Sequence, residues 1–210
     1  MVRRLTGDYP AAQDLEQALA IYRDLGDRLG QATALYHLGI VRRVTGDYPA
    51  AARALERALG IHRDLGNRPG QAGALGRLGA VRLATGDYLA AARALEQALG
   101  ICRDLGDRGG EAETLNETGT LHRLSGDLAQ AEGCHRQALD LARQIGGSWD
   151  EAHALAGLGR CTLAAGDTVG AEDMLRQALE IFRRIGAPEA AEVSAELQAL
   201  TDARPAVQES

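Results

Sequence analysis

The tetrapeptide Thr-Gly-Asp-Tyr stands at Thr45 and again at Thr85, and Ser-Gly-Asp-Leu follows at Ser125 and Ala-Gly-Asp-Thr at Ala165. Each step is 40 residues, and residues 45–84 and 85–124 are identical at 24 of 40 positions. Ala-Leu pairs end at Leu19, Leu59, Leu99, Leu139 and Leu179 in the same register, and so do Gly26, Gly66, Gly106, Gly146 and Gly186. A period of this size means one supersecondary unit built several times over. Such a unit buries its apolar face only against its neighbours.

Each unit carries two amphipathic helical patterns. In the first, over about residues 31–44, Leu35, Leu38 and Val41 recur at spacings of three, as one face of a helix requires. Gly46 then offers the left-handed residue that ends a helix. Asp47 offers a carboxylate for the next N-terminus, where Pro49 fits the first turn. The second helix carries Ala51, Leu55, Ala58, Leu59 and Ile61 to about Leu65. Asp27, Asn67 and Asp107 fall where the next caps belong, and Ser148 to Glu151 reads as a capping box. Apolar residues make up 45% of the chain but aromatics only 3%, so Ala and Leu must form the core, and both are strong helix formers.

Leu35, Leu38 and Gly39, followed by Ala51, Leu55 and Ala58, resemble the tetratricopeptide repeat. Leu75, Leu78, Gly79, Ala91, Leu95 and Ala98 repeat the match at the same spacing. Leu replaces the aromatics of the family pattern. The 40-residue unit with Arg-Asp-Leu-Gly-Asp-Arg after its second helix is similar to the repeats of kinesin light chain and of actinobacterial regulators. The resemblance implies an all-α, right-handed superhelical solenoid of antiparallel helix pairs. It also implies a scaffold that binds a peptide or protein in a concave groove, as part of a bacterial regulator, while the cysteine usage and the lack of a signal-peptide pattern point to a cytoplasmic chain.

The expected organisation is a single array over residues 1–201. A partial repeat covers 1–29, and repeats follow over about 30–69, 70–109, 110–149 and 150–187. A capping helix spans 189–201, with Val193, Leu197 and Leu200 on one face, and a disordered tail covers 202–210. Residues 2–5 match 41–44, the last turn of a first helix. The helix over about 9–25 is therefore expected to lack its hairpin partner. Its cover would come from a longer array, a partner, or a second copy in a homodimer. The unit is also one residue short between Tyr9 and Leu15, which turns Tyr9 by about 100° relative to Tyr48.

The formal charge of −6 argues against a nucleic-acid surface, which needs a basic stripe. No apolar run is long enough for a membrane span. Cys102, Cys134 and Cys161 are unevenly spaced, as expected of a reduced chain without disulfides. For partner binding, the first-helix faces offer Tyr36, His37, Ile40, Arg43, Arg77, Asn116, Thr120, Arg123, His153 and Arg160. Tyr36 is the best aromatic anchor among them. The position just before the Leu-Gly pair, often Asn in adaptor relatives, holds His37, Arg77, Glu117 and Gly157. The family's known ligand types therefore do not carry over.

Gly70, Gly73, Gly76 and Gly79 on one helix read as close packing at Gly79 and neutral change elsewhere, or alternatively as a joint. His135 stands in the register of Leu55, Leu95 and Leu175, which makes it a neutral core histidine and not a metal ligand. No phosphate loop or nucleophile motif occurs, and neither an enzyme nor a cofactor is expected. The alternatives are a small-molecule or enzyme-like groove and a self-assembling oligomer.

Overall fold

A computed structural model describes residues 10–202, and every described element is an α-helix. The helices fall into two compact units, and the chain passes from one to the other between Gly106 and Asp107. The first holds α1 (Pro10–Asp24), α2 (Arg28–Val44), α3 (Tyr48–Asp64), α4 (Arg68–Ala84) and α5 (Tyr88–Leu105). The second holds α6 (Arg108–Leu124), α7 (Leu128–Ile145), α8 (Ser148–Ala164), α9 (Thr168–Ile185) and α10 (Glu189–Asp202). Residues 1–9 and 203–210 lie outside the described residues. With them lie the matched 2–5 turn, Tyr9 and all of the expected tail except Asp202, which closes α10.

The turns follow from glycine followed by a side-chain acceptor. Gly46 has φ +81° and Gly106 φ +66°, a region where a Cβ is strained. The residue after each such glycine then caps a helix. Asp27 accepts from the Gly30 N–H at 2.8 Å, Asp47 from Ala50 at 3.1 Å and Asn67 from Gly70 at 3.0 Å. Asp87, Asp107, Asp127 and Asp167 repeat the bond. The expected capping box at Ser148 does not form. Gly147 is the N-cap of α8, without a side-chain bond, and Ser148 is already helical. Asp150 and Glu151 in the first turn favour the positive helix end instead. Glu151 also accepts from Arg143 Nε at 2.9 Å.

Helix approach is set by glycine against a large side chain. A Cβ on Gly39 would lie 2.6 Å from Leu55 Cγ, and one on Gly79 would lie 2.6 Å from Leu95 Cδ2. Leu55 and Leu95 are fully buried because those glycines leave room. Ala51 and Ala58, Ala91 and Ala98, Ala131 and Ala138, and Ala171 and Ala178 are all buried, seven residues apart on one helix stripe. In the first unit Leu19, Leu35, Ala54 and Ala58 form one cluster, and Leu59, Leu75, Ala94 and Ala98 form the next, one period on.

Of the apolar residues on α1, Leu19 is buried, Leu15 and Ala18 are half-buried and Ile21 is 58% exposed. Ile61 and Ile101, one and two periods on, pack against the clusters that contain Leu19 and Leu59. Exposed ion pairs also repeat, as in Arg28–Asp64 and Arg68–Asp104, and pairs of this kind add little stability.

Leu95→Ala should lower the unfolding free energy by about 2–5 kcal/mol, through lost burial and a residual cavity. Asp47→Ala should cost about 1 kcal/mol through its cap. Urea unfolding followed by circular dichroism measures both, and equal losses would contradict this account of the packing.

Candidate functional site

In the first unit the candidates gather on the facing sides of α2 and α4. Tyr36 is half-buried and packs against two core clusters. Its hydroxyl accepts from Arg77 Nε at 3.3 Å, and its edge meets the His37 ring at a centroid distance of 5.3 Å. A Cβ on Gly73 would stand 3.6 Å from the Tyr36 ring, in ordinary contact. The glycines of α4 thus do more than expected. Gly79 receives Leu95, Gly70 lies where a Cβ would collide with the His62 ring, and Gly73 faces Tyr36. His37 is exposed, while Ile40 and Arg43 are half-buried.

In the second unit the candidates surround one small cavity of about 40 Å³ between α6, α7 and α8. Its floor is His135, 1% exposed, wedged where a Cβ on Gly119 would stand 2.6 Å from Nε2 and one on Gly157 would collide with the ring. Gly157 and His135 are therefore mutually fitted. Asn116 Nδ2 donates to the Asp150 carbonyl at 3.1 Å, which turns its Oδ1 toward His135 Nδ1 at 3.2 Å. Nδ1 must then carry the proton, and Nε2 keeps its lone pair, buried and without a hydrogen-bond partner. Burial first, then the charges of Arg123 and Arg160 and of His153, lower the His135 pKa to about 4. The ring is neutral at physiological pH, as the core reading expects.

The walls of the cavity carry Thr120, Trp149, His153 and Arg160. Trp149 stacks on His153 at a centroid distance of 3.9 Å, and His153 meets the Phe182 edge at 5.1 Å. Arg160 is held by α10. Its Nη2 donates to Glu196 at 2.6 Å and to Glu192 at 3.0 Å, and its Nε donates to Glu196 at 3.1 Å. Burial opposes the Arg160 charge, but these carboxylates outweigh it and hold its pKa above the usual value.

Asn116, Thr120, His153 and Arg160 therefore share one site, with Arg123 acting on it through its charge. Asn116 is buried and committed to holding His135, not presented outward. Trp149 went unrecognised in the sequence. It is the chain's only tryptophan, which is the one signal that marked it. Among the described residues no cluster of His, Cys, Asp or Glu is arranged to hold a metal, and no helix is long and apolar enough to cross a membrane.

Helical hairpins on a fixed period, with polar clusters on the first helices, define an all-α repeat protein. The tetratricopeptide repeat model matches residues 1–64, 70–144 and 111–184, and the chain belongs to that family. No curated protein sequence matches it. Among solved structures, BtubC (BKLC) from P. vanneervenii is similar at TM-score 0.72 and 19% identity, over 91% of this chain and 82% of that one. A Rap protein complexed with competence and sporulation factor is similar at TM-score 0.74 and 16% identity, over 90% of this chain but only 58% of its own. The Q17M variant of nearly identical TPR-like repeats from a Podosopora anserina kinesin light chain candidate gives TM-score 0.61 and 18% identity, over 83% of this chain and 86% of that one. At these identities the likeness is one of fold.

The His135 geometry sets a pH dependence. The unfolded chain binds the proton near pH 6.5 and the folded chain only near 4. Stability is therefore fully present above about pH 6.5 and is lost as pH falls toward 4. The expected loss is about 3 kcal/mol. His135→Leu, which restores the residue type of Leu55 and Leu95, should remove that slope between pH 6.5 and 4. Chemical unfolding across that range measures it, and parallel curves for the two chains would contradict the assignment.

Proposed function

We propose that this chain is a non-catalytic scaffold that binds a peptide or protein segment on its first-helix faces. The contacts are Tyr36, His37, Ile40, Arg43 and Arg77 in one unit and Thr120, Arg123, His153 and Arg160 in the other, with Asn116 positioning His135 behind them. The observation that carries this reading is the departure of the second unit from its own repeat. A leucine position has become His135, and the position that holds His37, Arg77 and Glu117 in other repeats has become Gly157. The two changes fit each other and turn a dry contact into a polar cavity beside Trp149. A buried histidine in place of leucine forfeits apolar burial of roughly 1.5–3 kcal/mol. Packing alone supplies no reason for the exchange. Aromatic and arginine side chains at such sites tend to dominate interface energies.

A bound partner agrees with the Rap structure, a fold relative complexed with competence and sporulation factor, and we place the chain in a cytoplasmic, regulatory setting. That setting agrees with the similarity to regulator repeats. A cavity of about 40 Å³ holds a small head group and not a whole metabolite, since small-molecule pockets run to about 300–1,000 Å³. That size favours a side chain of a larger partner at this point.

Selection of displayed peptides against the full chain, followed by titration on Trp149 fluorescence, tests the proposal. Saturable binding is expected. Thr120→Ala and His37→Ala should each weaken it about tenfold, or about 1.4 kcal/mol, with unchanged melting temperature. Binding that is indifferent to both changes, or a chain that selects no peptide, would sink the assignment.

A further inference from the structure

The second helices of the first unit enclose a different kind of site. A cavity of about 400 Å³ lies among α1, α2 and α3. Leu19, Leu35, Leu38 and Ala54 line its apolar part. Arg23, Arg42, Arg53 and Arg57 line the rest, with Glu16 the one acidic residue among them. Glu16 is held by Arg42 at 2.7 Å. Arg23, Arg53 and Arg57 have no side-chain hydrogen bond or ion pair among the described residues. Four arginines against one glutamate give the lining a local charge of +3, in a chain whose formal charge is −6. On α2 the residues facing this cavity (Leu35, Leu38, Arg42) and the partner-contact candidates (Tyr36, Ile40, Arg43) lie roughly 130° apart at about 100° per residue. The two sites therefore use different sides of the same helix.

The cavity recurs one period on. Each lining position reappears 40 residues later in a second cavity of about 300 Å³ among α3, α4 and α5. Leu59, Leu75, Leu78 and Ala94 form its apolar part, with Arg63, Arg82, Arg93 and Glu56 around them. One position differs: Gln97 stands where the first cavity has Arg57, and its side-chain oxygen accepts from Arg63 at 3.5 Å. Repetition alone does not preserve the feature. Between α7 and α9 the matching positions hold Thr162, Asp173 and Met174. There the Thr162 hydroxyl meets the Met174 sulfur at 3.8 Å. An acid and a long side chain thus stand where the first unit has arginine and alanine.

We propose that the α1–α2–α3 cavity binds a small organic or phosphate anion carrying at least two charged oxyanion groups. Its volume lies within the range of small-ligand sites, about 300–1,000 Å³. Guanidinium groups grip phosphate and carboxylate oxygens in a planar fork, and three of them here are uncommitted. A single charge would leave the excess only partly matched, while a dianion or trianion balances it. The α3–α4–α5 cavity, with one arginine fewer, binds the same class more weakly.

Calorimetric titration of the full chain with pyrophosphate and with citrate tests this, with sodium chloride at matched ionic strength as the control for screening. One saturable equivalent is expected with at least one of the two anions. A response to pyrophosphate alone assigns a phosphate ligand, and a response to citrate alone assigns a polycarboxylate. Arg57→Gln, which gives the first cavity the lining of the second, should weaken binding about tenfold. Gln97→Arg, which gives the second cavity the lining of the first, should add a second equivalent of similar affinity. Both positions are exposed, so the melting temperature without ligand should not move. No saturation with either anion, an Arg57→Gln chain that binds as well as the parent, or a chloride effect of equal size would overturn the proposal. Peptide binding read on Trp149 should be unchanged in Arg57→Gln, so failure here leaves the scaffold reading intact.

Discussion

The contact between a first-helix glycine and the side chain sixteen residues later governs the spacing of every hairpin. Gly39 with Leu55 and Gly79 with Leu95 set it in the first unit, and Gly159 with Leu175, at 3.0 Å from a Cβ position, sets it in the second. A methyl group at any of these glycines would push two helices apart. The alanines seven residues apart on each second helix complete the arrangement, because they present backbone to the neighbour with almost nothing between. The capped turns keep that contact in register. A left-handed glycine ends one helix, and the next residue starts another, so the chain reverses without spare residues that could let the hairpin slip.

The one hairpin that changes this contact is also the one that acquires chemistry. Gly119 still receives a side chain, but it is the imidazole of His135, and Gly157 opens the other side of the ring. Asn116 and the Asp150 carbonyl then orient the ring. Burial and two arginines keep it neutral. A structural joint has become the floor of a polar cavity through two coordinated substitutions, with no change to the helical frame around it.

The frame was legible because period, turn and packing all speak with one residue each. Gly46 and Asp47 mark a boundary in the sequence and form one in the fold, and Leu35, Leu38 and Leu55 mark the core and fill it. The capping box at Ser148 misled because Gly147 had already taken the cap. In a sequence, the hydroxyl of a first-turn serine looks the same as that of an N-cap. The site was less legible. Tyr36 and Arg77 lie 41 residues apart and meet only because α2 and α4 stand side by side. Asn116 looked like a surface residue because its helical position does not reveal that His135, on another helix, needs an acceptor. The arginine cavity had no local signature, since its lining comes from three helices and its charge is visible only once they are assembled.

The identity between residues 45–84 and 85–124 has a bearing on how such a chain can change. Within each unit a helix meets chiefly its neighbours in sequence, and a left-handed glycine stands at each boundary between helices. A gene encoding near-copies in tandem invites unequal recombination, and a crossover within the Thr-Gly-Asp-Tyr turns would add or remove one whole hairpin pair in register. The product would inherit intact caps and intact glycine–leucine joints. The arginine cavity would be copied with it, whereas the cavity over His135 lies in the more divergent unit, where such exchanges find less matching sequence. Length and anion sites can therefore vary together while the histidine site stays single.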